Sequence, residues 1–477
     1  MEIIKQKIKQ IIKVENVMAF FVVICPIFDV ISFWFRKKFE TNYSISTFIR
    51  PIIPAIIFIY IFFKKKNKAK VISVFIIYII YGLIHLFLYK NMVKECSFGS
   101  IIHEAQYLVN YSFMIFNYYI FKEIYNKENE GILKKSVVLA SGLYIFFMYI
   151  SILTKTSSST YIEGIGFKGW FESGNSISSI LVLSTFIIMS FIMKIKNKKH
   201  RLIIFSILIL IGVYLTTLIG TRVGLIGFVL VVTCFIIAQF IERFVSKSKI
   251  NKKNLIVLFS IAILVSIIVA TTGSITLKRR KHLQNMESTI IDESTGKTSH
   301  LTGDLTEIRN KIISNNLEEN FMTENQQQSI LDLYNIAEKY NIKNTDVRIQ
   351  QLIYHFMLVK NQKNIILILF GNGYLVNTNE LVWEMEFPAI LINFGILGFY
   401  LYMIPFIINI IKGGILIIKE FRKIDTECIM LFFTIVLSFA LSTLSGYTFF
   451  NSSSMIIIII ANVLFRNKIE SMKEWVQ

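Results

Sequence analysis

With 477 residues, 54% of them hydrophobic and only 17% charged, and with Phe at 42 against Pro at 5, the chain is too apolar to cover a soluble surface with polar groups. Its formal charge of +20 would suggest nucleic acid in a soluble protein, but the basic residues sit in short loops between apolar runs, which removes that partner. The 4 cysteines form no CxxC pair and have no nearby histidine, so neither a disulfide framework nor a metal set is expected.

The first apolar run, Val17 to Phe35, is long enough to span and ends in Arg36, Lys37 and Lys38 without a small-residue cleavage pattern. It reads as a first transmembrane helix rather than a cleaved signal. In chain order, runs of the ~20 residues a bilayer requires fall near 15–35, 46–63, 71–89, 101–121, 136–154, 175–193, 202–219, 223–241, 254–274, 387–411, 426–445 and 449–465. The expected fold class is therefore all-α, a polytopic membrane protein of about twelve helices. Residues 1–274 would hold the first nine spans, 275–386 a large extracytoplasmic loop, and 387–477 the last three spans and a cytoplasmic tail.

With both termini cytoplasmic, more than half of the 51 Lys and Arg fall in inner segments, and the short outer loops are poor in them, as the positive-inside rule requires. In the long loop, acidic residues offset the basic ones. Residues 304–316, 325–340 and 346–360 there carry helical periodicity, with Asn344 to Asp346 as the cap of the third. A loop this long without structure would be unusual, so a small helical cap on the outer membrane surface is expected.

Several residues along this course could carry chemistry. His103, Gln106, Asn110 and Asn117 form a polar stripe on the fourth span, of the kind that faces a cavity or another helix. Asp29 and His85 are candidates for the same interior network, or for satisfying each other. Gly166-Phe167-Lys168-Gly169-Trp170-Phe171-Glu172-Ser173-Gly174-Asn175 is an outer loop dense in glycine and aromatics; an aromatic belt explains Trp170, and sugar stacking explains it as well. Gly220-Thr221-Arg222-Val223-Gly224 fixes a guanidinium on a tight hairpin between two spans. Such a group either snorkels or holds a phosphate bidentately.

In the long loop, Arg348 and His355 share a helix face, as a second phosphate clamp or as solvated surface charges. Phe370-Gly371-Asn372-Gly373 follows, then Glu380, Glu384 and Glu386, running into Gly395-Ile396-Leu397-Gly398. A carboxylate desolvated at the membrane edge is a better base. Glu386 is the first choice for that role, with Glu384 beside it and a plain interfacial glutamate as the alternative for each.

The order of these elements resembles the O-antigen ligase and polymerase-like membrane proteins. The resemblance rests on Gly-Trp-Phe-x-x-x-Asn, Gly-Thr-Arg-x-Gly, the long loop with Arg348, Phe-Gly-Asn-Gly, and the glutamates followed by Gly-Ile-Leu-Gly. It runs from about Gly166 to Tyr400. It implies a metal-independent glycosyltransferase of the membrane-embedded C type, without cofactor, in the bacterial cytoplasmic membrane with its site on the outer face. The implied donor is an undecaprenyl diphosphate-linked oligosaccharide and the implied acceptor a second glycan. Arg222 and Arg348 would hold the leaving diphosphate, Glu386 or Glu384 would take the acceptor proton, and Asn175, Trp170, His355, His103 and Asn110 would line the substrate cavity. Ligases of this kind commonly present a histidine where this chain has Glu384 and Glu386, which favours a polymerase over a ligase. A flippase would call for two similar halves, and the long loop has no counterpart in the first half.

Overall fold

The computed structural model describes residues 13–40, 44–64, 68–92, 98–161, 164–246, 275–279, 306–317, 322–342, 347–373, 385–444, 446 and 448–474. Helices α1 (Val14–Phe39), α2 (Ile45–Ile49), α3 (Ile52–Lys64), α4 (Lys68–Met92), α5 (Phe98–Ile124) and α6 (Glu130–Leu153) come first. A two-stranded antiparallel hairpin, β1 (Ser158–Ser159) and β2 (Phe167–Gly169), pairs Ser158 with Gly169. Then come α7 (Gly174–Ile192), α8 (Lys198–Val213) with a π-turn at Tyr214–Leu218, and α9 (Arg222–Ser246). Among the described residues, 9 helices are long and apolar enough to cross a membrane: α1, α4, α6, α7, α8, α9 and three that follow the long loop.

The expected run at 254–274 lies outside the described residues. The run at 46–63 is broken: Pro51 has no N–H to continue a helix, and the chain restarts as α3. Helix α5 has the length of a span, but His103, Glu104, Gln106, Asn110 and Asn117 dilute its apolar character.

The run expected as one span over 387–411 is two helices, α14 (Glu386–Asn393) and α15 (Gly395–Lys419). Gly395 breaks them apart with φ +68°, a region that L side chains rarely enter. The last two spans are α16 (Thr426–Leu444) and α17 (Ser452–Glu474).

Lipid dictates which helices sit inside. Helix α4 keeps only 17% of its apolar window buried and turns Ile72, Ile76, Ile79, Ile80, Leu83 and Phe87 outward. Helix α7 buries 89% of its window, and α17 buries 83%. The centre is α7, packed on α6, α9, α16 and α17. Its Ser176, Ser178, Ser179, Ser184, Thr185 and Ser190 are all buried, and such small side chains allow the close approach that replaces hydrophobic driving force in lipid.

The end of the bundle rich in lysine is tied by charge. Asp425 accepts from Lys468 at 2.7 Å and Lys194 at 3.1 Å, and Glu427 pairs with Lys134 and Lys194. Thr426 N donates to Glu242 at 2.8 Å, bringing in α9. Burial pushes the Asp425 carboxyl up, but Lys468 and Lys194 outweigh it and hold it below the usual carboxylate range.

Within the long loop the three expected helices are present as α10 (Thr306–Ile313), α11 (Glu324–Lys339) and α12 (Val347–Gln362), followed by α13 (Ile365–Phe370). Thr323 and Gln326 form a capping box at the start of α11. Helices α11 and α12 pack as a pair around their own core of Ile312, Met322, Ile330, Leu333 and Tyr354. Asn344 to Asp346, expected as a cap, fall outside the described residues. Helix α12 in turn touches α14.

Candidate functional site

Three neighbourhoods at the hairpin end of the bundle hold the polar groups. The first is the turn from α8 into α9. Gly220 has φ +80°, and Thr221 Oγ1 accepts from Gly224 N at 3.1 Å while pairing with Ser178 Oγ at 2.6 Å. The β-hairpin covers this turn: Thr160 Oγ1 donates to Ile219 O at 2.7 Å, and a Cβ on Gly166 would lie 2.4 Å from that same oxygen. Gly174 is equally crowded, its Cβ position 2.5 Å from Thr160 Cγ2. The two glycine motifs that stand some fifty residues apart in sequence are thus one packed unit.

Arg222 is the first residue of α9, is exposed, and makes no hydrogen bond or ion pair among the described residues. Asn175 sits half-buried in the first turn of α7 on the other side of the same unit. Trp170 donates from Nε1 to Thr156 Oγ1 at 2.9 Å and meets Trp34 edge-on at 5.8 Å. Beside them Glu172 pairs with Arg36 at 3.1 Å. Burial pushes the Glu172 carboxyl above its ordinary range, against the opposing pull of Arg36.

The second neighbourhood is where Phe370-Gly371-Asn372-Gly373 meets the break between α14 and α15. Asn372 N donates to Ile392 O at 3.0 Å and Gly373 N to Asn393 O at 2.9 Å. The two strands of backbone approach so closely that a Cβ on Gly371 would lie 2.2 Å from Asn393 O, and one on Gly395 would lie 2.4 Å from Leu369 O. Tyr81 from α4 donates to Phe394 O at 2.5 Å.

His85 Nδ1 lies 2.7 Å from Phe370 O and Nε2 lies 2.8 Å from Glu104 Oε1. A carbonyl only accepts, so Nδ1 carries a proton. His85 therefore belongs with Glu104, and Asp29 belongs to a separate network. Among the described residues, the buried amides of Asn372 and Asn393 have no partner for either side-chain polar atom.

The third neighbourhood was not singled out by the sequence reading. It is the segment Thr448-Phe449-Phe450-Asn451-Ser452-Ser453-Ser454. Glu386 is 5% exposed, and its two oxygens accept from Phe449 N at 2.7 Å and Phe450 N at 2.8 Å. Asp29 takes Arg50 on one oxygen at 2.5 Å, and Tyr144 OH at 2.9 Å and Ser453 Oγ at 2.7 Å on the other. Arg50 also donates to Ser452 Oγ and, at 3.3 Å, to Cys25 O. The segment opens what reads as a plain twelfth span. Its run of Thr, Asn and Ser ahead of five isoleucines was the available signal.

The other sequence candidates are placed as follows. Arg348 is half-buried and partnered on α12, and His355 is buried on the same helix against the Tyr354 ring at 5.1 Å. Helix α12, which carries both, packs against α14, which begins at Glu386. Glu384, with Glu380, lies outside the described residues. The stripe on α5 does not share one environment: His103 and Gln106 are exposed, Asn110 is half-buried, and Asn117 is buried with its amide donating to Phe113 O at 2.8 Å. The buried charge on that helix is Glu104, a neighbour of the stripe rather than a member. Among the described residues, no cluster of three or more His, Cys, Asp or Glu could hold a metal ion.

A family model described as "O-antigen ligase like membrane protein" matches residues 12–471. No curated protein and no solved structure matches the chain.

Proposed function

The chain belongs to the O-antigen ligase-like membrane protein family, and on that premise we propose that it polymerises a cell-surface polysaccharide. The donor is a glycan on undecaprenyl diphosphate, the acceptor a sugar hydroxyl of a second glycan, and the site faces the outside of a bacterial cytoplasmic membrane. The acceptor oxygen attacks the anomeric carbon and forms the new glycosidic bond. The bond from that carbon to the diphosphate breaks, and its electron pair leaves with the diphosphate. A single displacement of this kind inverts the anomeric configuration.

The observation that carries the reading is Arg222, an exposed guanidinium without a carboxylate partner among the described residues, held on a turn that Thr221, Ser178 and Thr160 keep rigid. Fixed donors aimed at developing charge lower the barrier without reorganising. Arg348 supplies a second guanidinium from α12. For the base, the clasped state of Glu386 favours Glu384: both Glu386 oxygens already accept backbone N–H groups, which anchors the chain two residues beyond Glu384. His355, on α12, is the alternative base. Glu384 and Glu386 stand where ligases of the family commonly present a histidine, which favours sugar-to-sugar elongation over ligase-type transfer to another acceptor.

Purified protein incubated with lipid-linked oligosaccharide repeats should give a ladder of longer products, unchanged by a chelator. Absence of both elongation and transfer to any added acceptor would contradict the proposal.

A further inference from the structure

We propose that Arg279 is a further diphosphate-binding residue, acting beside Arg222 from a platform made by Tyr161. This rests on the reading of the donor as diphosphate-linked.

A helical turn at residues 275–279 lies directly on the Gly220-Thr221-Arg222 turn. Thr276 Oγ1 reaches Thr221 O at 3.4 Å, and a Cβ on Gly220 would come within 2.8 Å of Ile275 Cγ2. Glycine at 220 is what lets the two turns touch. Tyr161, from the loop of the β-hairpin, donates to Gly220 O at 3.3 Å, and its ring carries the Arg279 guanidinium 3.2 Å from its centroid. A guanidinium held over an aromatic face by cation–π attraction still carries its N–H groups as a planar fork, the geometry that suits phosphate.

Charge pairing at this end of the molecule is selective. Arg36 is matched by Glu172 at 3.1 Å, Arg50 by Asp29 at 2.5 Å and Arg309 by Glu338 at 2.8 Å. Arg222 and Arg279 have no carboxylate partner among the described residues, and the Arg279 Nε is buried without a hydrogen-bond partner. Two unneutralised guanidinium groups on touching turns form a local positive charge that an anion carrying two or more negative charges satisfies. A diphosphate carries that charge when it belongs to a polyprenyl carrier, and an anionic lipid headgroup would supply phosphate alone.

The test is binding of undecaprenyl diphosphate to the full chain in phosphatidylcholine nanodiscs. Arg279→Ala should weaken it about tenfold or more, and Arg279→Lys should weaken it as well, because an ammonium cannot lie flat and present a fork. Tyr161→Ala should behave like Arg279→Ala, and Tyr161→Phe, which keeps the ring, should bind much as the parent. Where Arg279→Ala does not fold by melting and elution, Arg279→Gln carries the same comparison.

Parent-like affinity in the folded Arg279 variants overturns the assignment, as does a defect confined to nanodiscs of phosphatidylglycerol, which would make Arg279 a surface anchor. A parent chain that binds no undecaprenyl diphosphate would sink the donor reading itself. A parent that binds alongside an Arg279→Ala variant that also binds sinks only this inference.

Discussion

Two charged residues at the hairpin end show how differently similar groups can be used. Arg222 is exposed and unpaired among the described residues, whereas Glu386 is buried with both oxygens engaged. Arg222→Ala should therefore lower elongation by about 10²-fold or more, the loss typical of one fixed donor to a developing anion, while the melting temperature stays within a few degrees. Full activity in that variant would refute the diphosphate role.

Glu386→Gln should do the reverse and cost stability, since one amide oxygen replaces two carboxylate oxygens and leaves a buried N–H opposite an NH2 group. The expected loss is roughly 1–3 kcal/mol, read as a lower melting temperature; an unchanged melt would remove Glu386 from its holding role. The sequence made the Gly-Thr-Arg turn and Glu386 at the start of a helix legible because residue type and position at a span end are visible in one dimension. Which carboxylate is already occupied was not legible, since Phe449 and Phe450 lie more than sixty residues away.

Elements show the same division. Apolar runs mark spans because each must bury about twenty residues in lipid, and α1, α4, α6, α7, α9 and α16 begin and end within several residues of the runs. The break at Gly395 escaped that reading, since Ile390 to Tyr400 is apolar throughout except for Asn393 and the glycines. What splits α14 from α15 is a backbone contact of Leu369 and Gly371 with Asn393 and Gly395, a tertiary fact. Gly395→Ala combines left-handed strain of roughly 1–2 kcal/mol with a Cβ inside van der Waals distance of a carbonyl. It should leave little folded protein on size-exclusion chromatography, and a normally eluting, active variant would contradict the backbone pairing. The π-turn at Tyr214–Leu218 was equally invisible, though it leads directly into the turn that carries Arg222.

Across the whole molecule, the two ends of the bundle differ in how their charges are matched. At the lysine-rich end, Asp425 and Glu427 gather Lys134, Lys194 and Lys468 and join α6, α16 and α17. The folded Asp425 carboxyl lies below its unfolded value of 3.8, so its contribution is present above that pH and is lost as pH falls through the lower folded value. Melting temperature should drop on acidification below about pH 4, and Asp425→Asn should flatten that part of the profile; an identical profile in the variant would argue against the pairing.

At the hairpin end, Arg222 has no carboxylate partner among the described residues, and α12, which carries Arg348 and His355, packs on α14, which begins at Glu386. The most direct test of this division measures released undecaprenyl diphosphate against new glycosidic bonds, using the full chain in nanodiscs with lipid-linked repeats. One diphosphate should be released per bond formed, with inversion at the new linkage and loss of both in Arg222→Ala. Bond formation without diphosphate release, or undiminished release by the Arg222 variant, would contradict it.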